Sequence, residues 1–127
     1  MLKAYRFSLF LGIVILILSV ISVRSVPKID LKAADKIGHF LAYAALAFVV
    51  LFETALKFRW SIKYRRWLIY IIPICILFGV LMEFLQATPL FNRHFEYLDM
   101  VANSIGVMAG SILFLVAYRP LKKIYIK

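Results

Sequence analysis

Seven residues able to carry chemistry stand at the ends of apolar stretches: Asp35, His39, Glu83, Gln86, Arg93, Asp99 and Asn103. Carboxylates beside an imidazole can pass a proton, an arginine can hold a phosphate or carboxylate, and amides can orient either. Such groups are expensive next to lipid and normally face a partner, a cavity or a substrate. They matter most if they meet, which depends on the elements that carry them.

Those elements are apolar. Of the 127 residues, 65% are hydrophobic, far above the globular norm of about half. Residues 7–23, 37–52, 67–82 and 100–118 lack any Asp, Glu, Lys or Arg and hold 17, 16, 16 and 19 residues. A spanning helix needs roughly 20, and the middle two stretches reach it by taking in residues 53–56 and 83–86. The alternation of a membrane barrel is missing. The expected fold is therefore an all-α membrane protein, one domain over residues 1–127. Its four transmembrane helices are expected at about 5–23, 36–56, 67–86 and 99–118.

The net charge of +10 would suggest nucleic acid in a soluble protein. Here Lys and Arg flank spans and set orientation, and no nucleic-acid partner is expected. Cys75 is the single cysteine, so no intramolecular disulfide staples the fold. Lys3 and Arg6 before an apolar run resemble the start of a signal peptide. The run is longer than the usual 7–15 residues or so, and no small-x-small site follows, so a retained first helix is expected.

Four spans place the N-terminus, the middle loop and the C-terminus on one side, which then holds 11 Lys and Arg against 5 on the other. The positive-inside rule puts both termini in the cytoplasm. Trp60, Tyr64 and Trp67 fit an inner aromatic belt, and loops 24–34 and 87–98 face outward. All seven polar residues then fall in one slab at the outer face.

Facing agrees. At about 100° per residue, Asp35, His39 and Tyr43 form one helical stripe, and Asp99, Asn103, Gly106 and Gly110 form another. The second is polar outside and small inside, so Gly106 and Gly110 form a helix-packing seam, within the bundle or between subunits.

Each residue also has a bland reading. Asp35, preceding the second helix, and Asp99, starting the fourth, fit N-caps. Asn103 and Gln86 fit interhelical hydrogen bonds, and His39 and Tyr43 fit satisfied packing. Glu83 resists best: it sits in the last turn of its helix, where the dipole disfavours an anion, with Lys36, His39 and Arg93 as partners. Glu53, near the inner end of the second helix with Lys57 four residues on, reads as an i,i+4 pair at the membrane interface, outside the site. Pro73 is expected to kink the third helix, Pro89 to sit in the outer turn and Pro120 to end the last helix.

The pattern Asp35-Lys36-x-x-His39-x-x-x-Tyr43, Glu83-x-x-Gln86, Arg93, then Asp99-x-x-x-Asn103-x-x-Gly106-x-x-x-Gly110 resembles the VanZ-like family. These are small bacterial membrane proteins named after one linked to teicoplanin resistance. The resemblance covers residues 35–110. The chain departs from it at Glu96, where a small or hydroxyl residue is expected. It implies a multi-pass protein of the bacterial cytoplasmic membrane with a cell-envelope role and assigns no reaction.

The leading expectation is binding of, or action on, an envelope lipid or peptidoglycan precursor at the outer leaflet, affecting glycopeptide susceptibility. His39, Glu83 and Asp99 are the candidate catalytic groups. Asp35, Lys36, Tyr43, Gln86, Arg93 and Asn103 are the candidate ligand contacts, with Lys36 and Arg93 on a phosphate or carboxylate. A metal site built from Asp35, His39, Glu83, Asp99 and His94 is a second reading. Only the Asp35/His39 pair has ligand spacing and no HExxH motif occurs, so no metal or cofactor is expected. A small proton-coupled transporter is third, because Glu83 sits towards one edge rather than the midplane. A polar cluster that only pins helices together is fourth.

Overall fold

The computed structural model describes residues 2–20, 31–61, 64–88 and 95–126. A 3₁₀ turn, Leu2–Tyr5, leads into four helices: α1 Arg6–Val20, α2 Leu31–Lys57, α3 Tyr64–Gln86 and α4 Tyr97–Tyr125. No strand occurs among the described residues.

Among the described residues three helices are long and apolar enough to cross a membrane: Ala34–Lys57, Arg66–Gln86 and Tyr97–Tyr125. The described part of α1 has 15 residues, about 22 Å at 1.5 Å each. Large apolar side chains such as Phe10, Ile69 and Val116 point outward from α1, α3 and α4, while Glu53, Glu83, Asp99 and Asn103 are buried. Apolar outside and polar inside suits lipid, and a soluble monomer rarely exposes so much apolar surface.

Helix α2 is the centre. It packs most extensively on α4, then on α3 and α1. Tyr43, Ala47, Leu51 and Ala55, each four residues from the last, are all buried and form its inner stripe. Val107 and Phe114 of α4, Ile71 and Cys75 of α3, and Ile15 of α1 complete the core. A Cβ on Gly106 would collide with the Phe40 carbonyl oxygen, and one on Gly110 with that of Ala44. The seam therefore lies inside the bundle, and because the numbers rise together, α2 and α4 run parallel. The Gly79 contacts with Tyr43 and Asn103 and the Glu83 contact with His39 set α3 antiparallel to α2. Phe7 and Ser8 bond to Glu53 while Ser19 shares a cavity wall with Asp35 and His39, so α1 is antiparallel to α2 too.

Several boundaries differ from expectation. Helix α2 starts at Leu31, not near 36, because Leu31, Lys32, Ala33 and Ala34 are all good helix formers. Asp35 is thus in its second turn and is not an N-cap. Helix α4 passes through Pro120 and ends at Tyr125. Proline removes one helical bond, but Leu121 packs on the core and Tyr125 lies 5.6 Å from the Phe52 ring and 5.9 Å from that of Trp60. That packing carries the helix past the proline. Pro73 is likewise inside α3, and Pro89 lies outside the described residues.

Trp60 is not an interfacial anchor. It is buried among Phe52, Phe114, Tyr118 and Tyr125. Arg59 and Trp60 take left-handed φ values of 49° and 55°, unusual for bulky residues. The Trp60 amide donates to the Ala55 carbonyl at 2.8 Å, and its own carbonyl accepts from the Tyr118 hydroxyl at 2.6 Å. The buried ring and these two bonds hold the turn that ends α2.

Candidate functional site

The parallel pairing of α2 and α4 brings two helix N-termini to one end of the bundle. Their unpaired N–H groups and dipoles favour anions there. Asp35, in the second turn of α2, and Asp99, in the first turn of α4, lie in that field. Glu83, in the last turn of antiparallel α3, reaches the same end. Its own helix dipole opposes its charge, while the starts of α2 and α4 offset that. Position within one helix therefore overstated how misplaced Glu83 is.

Lys36 does not serve Glu83. Its ammonium donates to Glu96 at 2.8 Å and to Asp99 Oδ1 at 3.1 Å. Glu96, the N-cap position of α4, and Asp99 stand three residues apart and so grip one cation from one face. Glu96 was read in the sequence only as a departure from a family pattern. Its i,i+3 spacing to Asp99 was the signal that both would meet the same lysine.

Deeper in, the Asn103 amide nitrogen donates to Glu83 Oε1 at 3.4 Å, which leaves Asn103 Oδ1 facing His39 Nδ1 at 3.0 Å. A carboxylate only accepts, so the amide orientation is set, and Asn103 Oδ1 must take a proton from Nδ1–H. This assignment follows from the hydrogen-bond network. The Nδ1 atom is also 3.7 Å from Glu83 Oε1. The far side of the ring, Nε2, faces Asp35 Oδ1 at 4.0 Å and Asp99 Oδ2 at 3.9 Å. Both distances exceed a hydrogen bond. Glu83 is fully buried, and the Asp99 and His39 side chains are 5% and 12% exposed.

A cavity of about 250 Å³ adjoins this network between α1 and α2, lined by Ser19, Asp35, His39 and Tyr43 with apolar neighbours. Tyr43 is buried, and its hydroxyl has no hydrogen-bond partner among the described residues. The same holds for the Gln86 amide nitrogen at the end of α3.

Asp35, Lys36, His39, Glu83, Asp99 and Asn103 thus meet, joined by Glu96, with Tyr43 one turn further in. Arg93 and His94 lie outside the described residues. Chemically, the chain Glu83–Asn103–His39 can fix the orientation of an imidazole. With Lys36 held by two carboxylates, it is not available for a ligand phosphate in this arrangement.

Glu53 is a polar residue that local reading misplaced. It is buried at the opposite end of the bundle. Its carboxylate accepts from the Phe7 amide at 2.9 Å, the Ser8 amide at 3.1 Å and the Ser8 hydroxyl. Lys57 instead lies over the Tyr5 ring, 5.0 Å from its centre. The i,i+4 pair expected at the membrane interface does not form.

No family model matches the chain, and comparison with curated proteins and with solved structures likewise returned no match.

Proposed function

We propose that the chain is a VanZ-like multi-pass protein of the bacterial cytoplasmic membrane. Four spans would place both termini in the cytoplasm and the His39 cluster at the outer face. There it binds, or acts on, an envelope lipid or peptidoglycan precursor. The supporting observation is the convergence of His39, Glu83, Asp99 and Asn103 beside a cavity that opens between α1 and α2. Sites of this kind, mostly apolar with a few convergent polar groups, are where small ligands bind.

The topology has its own test. A fluorescent protein fused after residue 127 is expected to fluoresce, and alkaline phosphatase fused in the 87–98 loop to be active. The reverse pattern would invert the site to the cytoplasmic face.

The function is tested by expressing wild-type protein, Glu83→Gln and His39→Ala at matched membrane levels and measuring teicoplanin susceptibility. Wild-type protein is expected to change susceptibility and both variants to lose the effect entirely. Full retention in both variants would remove them from any essential role.

A structural reading is favoured by one observation: Lys36 with Glu96 and Asp99, and His39 with Asn103 and Glu83, pair with one another. On that reading every cluster variant lowers detergent stability similarly and leaves ligand binding unchanged.

A further inference from the structure

A groove of about 580 Å³ lies between α1, α2 and α3, away from the His39 cluster. Its size falls in the range of roughly 300–1,000 Å³ typical of small-ligand sites. Helix α2 contributes Leu46, Val50 and Thr54 to its lining. Leu9 and Ile13 of α1 and Tyr70 and Ile74 of α3 also line it and are exposed, so the groove opens on the outside of the bundle. Gly12 adds width, because nothing lies within 4 Å of a Cβ built there.

Its length and polarity fit one kind of occupant. Along α2 the lining runs from Leu46 to Lys57, about 16 Å at 1.5 Å per residue. One leaflet of a hydrocarbon core is about 15 Å deep, half of the full thickness. The end at Leu16, Leu46 and Phe78 is apolar. The other end carries Tyr5, Trp67 and Lys57, and tyrosine and tryptophan favour the headgroup level. The groove is therefore one leaflet deep, polar at the surface and apolar at the midplane. Apolar walls do not hold water, and an empty slot would forfeit the contacts of its lining. A hydrocarbon chain satisfies both conditions.

Charge at the polar end selects the headgroup. Among the described residues no carboxylate pairs with Lys57. Its ammonium lies 5.0 Å from the centre of the Tyr5 ring and 5.7 Å from that of Phe58. The exposed Arg6, Arg59 and Arg66 stand at the same end of α1, α2 and α3. Glu53, the carboxylate described there, is buried and already bonded to Phe7 and Ser8. The mouth of the groove is thus cationic, and basic sites between membrane helices hold anionic headgroups.

We propose that this groove binds one anionic phospholipid, with an acyl chain along α1, α2 and α3 and the headgroup phosphate on Lys57. The lipid fills the gap between α1 and α3 and ties α1 to the bundle. This site is separate from the His39 cluster. It holds whichever way the bundle faces, since it needs only a lipid leaflet at the Glu53 end.

The test is native mass spectrometry of the full-length protein released from nanodiscs of equal parts phosphatidylglycerol and phosphatidylcholine. One phosphatidylglycerol per chain is expected to stay bound in preference to phosphatidylcholine. Lys57→Met keeps the apolar stem and removes the charge, so the preference should fall about fivefold. Lys122→Met removes an exposed charge at the same end of the bundle but outside the groove, and should keep the preference. Gly12→Leu fills the groove and should release lipid of either headgroup. Equal retention of both lipids by wild-type protein overturns the proposal. So does a Lys122→Met loss as large as that of Lys57→Met, which would mean diffuse surface charge. Wild-type retention in Gly12→Leu places the lipid elsewhere, and a lipid-free dimer would give the groove to a second copy; either sinks it. If Gly12→Leu does not fold, the comparison of Lys57→Met with Lys122→Met still decides.

Discussion

Gly110→Ala will force α2 and α4 apart. The added Cβ would lie against the Ala44 carbonyl oxygen, carbon and Cα, with no flexible side chain to move aside. Overpacking typically costs about 1–3 kcal/mol, and a clash with backbone belongs at the upper end, so about 3 kcal/mol is expected. Gly110→Leu should yield no folded protein. Thermal melting in detergent measures the effect. Gly12→Ala and Gly38→Ala are the controls, because nothing lies within 4 Å of a Cβ at either position. The effect reaches the site: Asn103 and Asp99 are carried by α4 above the seam, so separation stretches the His39–Asn103 and Lys36–Asp99 bonds. A Gly110→Ala protein that melts with the controls would overturn the seam.

That seam was half legible in the sequence. Helical arithmetic places Asp99, Asn103, Gly106 and Gly110 on one stripe, and the stripe does face α2. Its partner was not legible, because small residues spaced by four suit a neighbouring helix or a second subunit equally. The same limit explains the errors. Asp35 reads as a cap when only the charge pattern is weighed, yet the residues before it are helical. Pro120 reads as a stop, yet aromatic packing of Tyr125 on Trp60 and Phe52 carries the helix beyond it. Trp60 reads as a membrane anchor because tryptophans favour interfaces, while its left-handed backbone turns the ring into the bundle. Long-range partners outweighed local rules in the last two cases. The convergence at the His39 end was legible because it needs only the order of the helices and their alternating direction, and direction alternates from α1 to α4.

Glu53 shows the cost of reading locally. Lys57 four residues on offered a ready partner, but the carboxylate's ligands lie 45 and 46 residues away in sequence. Phe7 and Ser8 are in the first turn of α1, whose amides have no intrahelical acceptor. Glu53 supplies one across the bundle, and its charge also suits the dipole at that end. Bonds to a charged group contribute about 1.5–3 kcal/mol each. Glu53→Leu removes all three and leaves two amides in apolar surroundings, so a loss on the order of 4 kcal/mol is expected. Glu53→Gln keeps one acceptor oxygen and should lose about half as much. Because α1 packs on α2 less extensively than α4 does, the loss should appear as α1 leaving the bundle rather than as global unfolding. Hydrogen exchange reads this directly: the Phe7 and Ser8 amides lose protection in Glu53→Leu while α2 and α4 keep theirs. Unchanged protection at both amides would show that the cap contributes nothing. Ile15, Leu18 and Ser19 of α1 form one wall of the cavity beside His39. A carboxylate at one end of the bundle therefore governs access to the polar site at the other, and Glu53→Leu should open that cavity without altering any residue in it.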